Sequence, residues 1–73
     1  MTDNKILSNA LIETRKSLES TDAADIAKIL NKSPRLVRMY FNGKIFKFAT
    51  GKSILEAAQK IINERNQYLQ TLK

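Results

Sequence analysis

DAADIAKILNKSPRLVRMYFNG, residues 22–43, is the stretch that decides the fold. Ala23, Ile26, Ala27 and Leu30 recur at the three- and four-residue spacing that lines up one side of a helix, which predicts a helix over about residues 23–30. Asp22 and Asp25 stand where side chains can satisfy the free N–H groups at its start. Asn31-Lys32 interrupts it, and asparagine tolerates the left-handed backbone best after glycine. Ser33-Pro34 restarts a helix, because serine accepts a backbone N–H bond and proline fits the first turn without losing a needed donor. Over about 34–42, Leu36, Val37, Tyr40 and Phe41 face inward, while Arg35, Arg38, Met39 and Asn42 form an outward polar and basic strip. Gly43 closes the helix in the left-handed conformation. The unit reads helix, three-residue turn, helix.

Working outward, Ile6, Leu7, Ala10, Leu11, Thr14 and Leu18 carry helical spacing on the N-terminal side, which predicts a first helix over about 4–18 with Thr2 or Asp3 as cap. On the other side, the lysines and aromatics of KIFKFAT (44–50) do not alternate cleanly, so this segment is expected to be an ordered loop with Phe46 and Phe48 in the core. Thr50 or Ser53 is expected to start a last helix, placed at about 52–70. The fold class is all-α: one domain over residues 1–73, a bundle of about four helices with a longer C-terminal helix.

The composition narrows the function. The 73 residues include no cysteine and no histidine, which removes disulfides, thiolate metal sites, a cysteine nucleophile and the commonest general base. No enzyme, metal or cofactor is expected. Hydrophobic residues at 42% and charged residues at 27% are values of a folded chain. Every short apolar run near the N-terminus contains polar or acidic residues, so a membrane span is not expected and the cytoplasm is the expected location. The net charge is +6. Between Ile26 and Leu55 stand seven basic residues (Lys28, Lys32, Arg35, Arg38, Lys44, Lys47, Lys52) and no acidic one, whereas elsewhere six basic residues face seven acidic ones. Such segregation suits a polyanion.

DIAKILNKSPRLVR (25–38) resembles the helix-turn-helix of the lambda-repressor and lactose-repressor superfamily. Ala27 stands at its small mid-helix position, Asn31 at its left-handed turn and Val37 at its branched apolar position in the second helix. TGKSILEAA (50–58) is similar, more weakly, to the helix that follows the motif in lactose-repressor relatives. Lys32 departs from the apolar residue usual in that turn, and the preceding helix is a lambda-repressor feature. The resemblance implies sequence-specific binding of double-stranded DNA, with the second helix of the unit in the major groove, by a small bacterial or phage-type transcriptional regulator. No effector-binding domain accompanies it, so no small-molecule effector is implied.

Under that reading Ser33, Pro34, Arg35, Arg38, Met39 and Asn42 are the candidate base contacts, with the arginines suited to guanine. Lys32, Lys44, Lys47, Thr50, Lys52 and Ser53 are the candidate phosphate contacts, and the start of the last helix, with Gly51, is a further candidate phosphate cradle. Leu55, Ile62, Leu69 and Leu72 form one apolar line on the last helix and are the candidate homodimer interface. A second line, Ile54, Ala58, Ile61, Tyr68 and Leu72, leaves open which face pairs. The alternatives are an architectural or excision-type DNA binder, and a protein–protein adaptor built on the same unit. Three further patterns carry little. Gly51-Lys52-Ser53 matches the end of a nucleotide-binding loop, but Phe46 stands where its first glycine belongs. Phe46 and Phe48 lack the sheet that RNA-stacking aromatics need. Asp22 and Asp25 are explained by capping.

Overall fold

The computed structural model describes residues 2–72 and contains four helices: α1 (Thr2–Arg15), α2 (Asp22–Leu30), α3 (Pro34–Phe41) and α4 (Phe48–Thr71). α1 packs on α3 and α4, and α2 packs on the same two helices. α1 runs parallel to α4, with Leu7 meeting Gly51 at one end and Glu13 and Thr14 lining a recess with Ile62 and Asn63 at the other. α2 runs antiparallel to α4, from Asp22 beside Arg65 to Leu30 beside Ser53. α4 is therefore held between two helices over its first two thirds. At about 1.5 Å per residue its 24 residues span about 36 Å. Residues 66–72 are exposed throughout and project beyond the bundle. No helix among the described residues is long and apolar enough to cross a membrane.

The core is built from the expected inward positions. Leu7 and Leu11 come from α1, Ile26 and Ala27 from α2, Val37, Tyr40 and Phe41 from α3, and Ile54 and Ala58 from α4. Hydrophobic burial of this kind contributes about 25 cal/mol per Å².

Several local expectations change. α1 ends at Arg15 and not at residue 18, and the next three amides make tighter bonds to carbonyls three residues back. Asp3 lies inside its first turn, and the cap expected of Thr2 falls on a side chain outside the described part. Asp22 does not cap α2. Thr21 holds the cap position without a side-chain bond, and Asp22 lies inside the helix. Its carboxylate is 4% exposed and accepts from the Glu19 N–H at 2.7 Å and from Arg65 Nη2 at 2.9 and 3.0 Å. A buried carboxylate demands such partners. Arg65, which interrupts the apolar stripe of α4, is thus the tie between α4 and the start of α2. The hydrogen bond to Asp22 raises its pKa. A raised cationic pKa keeps its stabilising effect at all lower pH, so the arginine's side of this tie fails only under strongly alkaline conditions.

The loop after α3 is shorter than expected, because α4 begins at Phe48. Lys47 at its cap position offers no side-chain bond. The Lys47 N–H itself donates to the Tyr40 hydroxyl at 2.9 Å, so a residue of α3 satisfies the first of the four free amides at this helix start. Gly51 sits in the first turn of α4 where a Cβ would lie 2.8 Å from Leu7 Cδ2 and 3.3 Å from Tyr40 Cδ2. Its absent side chain lets α1 and α3 approach α4. Phe46 and Phe48 are 58% and 46% exposed, not core, although Phe46 meets the Tyr40 ring edge-on with centroids 5.7 Å apart.

Gly43 takes φ +94°, and a Cβ there would lie 2.8 Å from Ser8 Oγ and 3.1 Å from Ile12 Cδ1. A Gly43→Ala substitution therefore meets both backbone strain and a clash, and is expected to lower stability by about 1–3 kcal/mol. A thermal melt should show a fall of several degrees, while an unchanged midpoint would contradict the assignment.

Candidate nucleic-acid interface

α2 and α3 are joined by the three residues expected. Asn31 is left-handed at φ 56°, ψ 45°, and the Lys32 and Asn31 amides donate back to Ala27 O at 2.8 Å and Lys28 O at 3.3 Å. Gly43 ends α3 in the same way, with Lys44 N bonded to Met39 O at 3.1 Å and Gly43 N to Tyr40 O at 3.0 Å. Both helices thus end in the paired-bond motif that a left-handed residue permits. Ala27 and Val37 are buried, so the small residue lets α3 approach α2 and the branched one fills the angle between them. Ser33 Oγ accepts the Leu36 N–H at 3.1 Å, with Pro34 in the first turn.

This local chemistry fixes which way α3 faces. Val37, Tyr40 and Phe41 are buried and Leu36 is half-buried, so the opposite side presents Arg35, Arg38 and Asn42, with Met39 half-buried at its edge. Ser33 and Pro34 are exposed at the helix start. The hydroxyl oxygen of Ser33 is engaged as a cap and retains its proton for an outside acceptor. Asn42 is not free. Arg15 Nη1, from the last turn of α1, donates to its Oδ1.

The seven cations of the central segment are all exposed. Among the described residues the two ion pairs are Lys16–Glu13 and Asp22–Arg65, so none of those seven is neutralised by an intramolecular partner. Lys32 is brought beside Ala49, Thr50 and Ser53, around a shallow recess at the start of α4. The N-terminal cradle differs from expectation, however. Gly51 is buried and its N–H is bonded to Lys47 O at 3.1 Å, while Ser53 Oγ donates to Ala49 O at 3.1 Å. The unbonded amides at that end belong to Phe48, Ala49 and Thr50, because α4 starts earlier than its sequence suggests. Lys44 and Lys47 flank the loop after α3, and Lys52 lies on the exposed surface of the first turns of α4.

Arg15 was outside the predicted set. Its only sequence signal was its position in the last turn of the first helix, which does not say what faces it across the bundle. With Arg38 and Asn42 it borders an open recess between the end of α1 and α3. The candidate dimer line divides. Leu55 is half-buried and packs on the core, and Ile62 is half-buried beside α1, while Leu69 and Leu72 are 50% and 66% exposed. In the second line Ile54 and Ala58 are core, Ile61 packs on it and Tyr68 is exposed. No family model, curated protein or solved structure matches this chain.

Because Ser33 caps α3, its replacement by alanine is expected to cost about 0.5–2 kcal/mol. Urea unfolding monitored by circular dichroism measures this, and a Ser33→Ala midpoint equal to wild type would refute the capping role.

Proposed function

We propose that this chain is a sequence-specific double-stranded DNA-binding protein of the small transcription-regulator type, acting in the cytoplasm by occupancy of its site. The observation that carries the reading is the outward face of α3. It presents Arg35 and Arg38 beside a set of exposed, unpaired cations, on a helix whose other face is locked into the core. An α-helix with its side chains is about 10–12 Å across, which fits a major groove about 12 Å wide. Arg35 and Arg38 read base edges, and Met39 meets a thymine methyl. Ser33 and Pro34 lie where the helix enters the groove. Lys32, Lys44, Lys47 and Lys52, with the Thr50 and Ser53 side chains, contact phosphates on either side and set the register.

The reading includes a homodimer. The apolar end of α4, with Tyr68, Leu69 and Leu72, projects past its own bundle and supplies the seam. A two-fold pair would set two α3 helices on successive turns of the groove, about 34 Å apart.

The test is fluorescence anisotropy with a labelled mixed-sequence duplex of about 30 base pairs at two salt concentrations. Binding should weaken steeply with salt through counterion release, and an Arg35→Ala/Arg38→Ala variant should bind at least about tenfold more weakly. A Lys44→Ala/Lys47→Ala variant should reduce the salt slope by about 2. Sedimentation of a Leu69→Glu/Leu72→Glu variant should show a monomer where wild type shows a dimer. An absence of duplex binding at the lower salt sinks the DNA reading, and equal sedimentation of the two proteins sinks the seam.

A further inference from the structure

Asn42 stands at the exposed end of α3 and carries the one side-chain amide on its outward face. An unrestrained asparagine presents a carbonyl and an NH2 group side by side, a fork that matches the N7 acceptor and N6 donor of adenine. In this protein the fork is broken, because Arg15 Nη1 donates to Asn42 Oδ1. The orientation of the amide follows from chemistry, since a guanidinium has five donors and no acceptor and only the amide oxygen can face it. Nδ2 is left as the free end. The Asn42 backbone is fixed as well, with its N–H bonded to Arg38 O at 3.0 Å and Met39 O at 3.2 Å. Arg15 comes from a helix packed directly on α3 and is paired with no acid among the described residues.

Resting on the DNA-binding reading above, we propose that Arg15 is a positioning residue for base recognition: by occupying Asn42 Oδ1 it leaves a strip of donors only, Arg35, Arg38 and Asn42 Nδ2, which selects guanine over adenine. Guanine offers two acceptors, N7 and O6, in the major groove. Adenine offers one acceptor and one donor, and its N6 amino group meets no acceptor on this strip. The specificity of the recognition helix thus depends on a residue of α1 that lies outside the helix-turn-helix.

The experiment is selection from a randomised duplex library with the full chain, as wild type and as the Asn42→Ala, Arg15→Ala and Arg15→Lys variants. The position that loses its preference in Asn42→Ala is the base Asn42 reads. Wild type should prefer guanine there by at least about fivefold, the lower end of what one good base contact contributes. Arg15→Ala frees Oδ1 and should raise adenine to or above guanine at that position alone. Arg15→Lys keeps a donor without an acceptor and should retain guanine. An Asn42→Asp variant, which keeps the acceptor for Arg15 but has no donor, should lose the guanine preference. All four changes lie at exposed positions, and helical circular dichroism checks each fold. The proposal is overturned if wild type selects adenine there, if Arg15→Ala selects the same base as wild type, or if Asn42→Ala changes no position. If wild type enriches no duplex, the DNA-binding reading itself fails, and that result appears before any variant is compared.

Discussion

Tyr40 is the constraint on which the arrangement of α3 depends. It is buried to 2% exposure at the meeting of α3, the following loop and α4. Its ring lies against Gly51, its edge-on contact holds Phe46, and its hydroxyl accepts the amide that opens α4. A buried phenol needs a partner and the Lys47 amide needs an acceptor, so one hydrogen bond satisfies both groups. With Tyr40 fixed inward, helical geometry fixes Arg35, Arg38 and Asn42 outward. The loop that carries Lys44 and Lys47 is fixed by the same contact, so packing and the charged surface are linked through one side chain.

The electrostatics have a similar division. Asp22 lies in the helix-turn-helix unit itself, but it is buried and paired with Arg65 from α4. That places its negative charge inside the fold and away from the exposed cations. Asp25, by contrast, is exposed at the start of α2. Asp22 is therefore neutralised within the fold, while the seven cations of the central segment have no ion-pair partner among the described residues.

Much of the helical plan was legible in the sequence because it is set by local chemistry. Ser33-Pro34, Asn31 and Gly43 each adopt the backbone that their side chains favour, and Ala27 and Val37 lie where their sizes fit. What was not legible depends on residues far apart in the chain. The residue before α4 is held by Tyr40 from α3, Asp22 is drawn inward by Arg65 across 43 positions, and Gly51 is a packing residue because Leu7 and Tyr40 press on it. The same limit applied to the candidate site. The periodicity of α3 identified its outward residues, yet nothing near Asn42 in sequence reveals that Arg15 holds its amide.

The most direct test of the central claim is backbone amide NMR of the full chain titrated with a duplex at low salt. Shift changes should concentrate on residues 32, 33, 35, 38, 39 and 42 and on the start of α4, with a smaller effect at Arg15. Changes confined to the recess between α1 and α4, to the projecting end of α4, or to no region at all would contradict DNA recognition through α3.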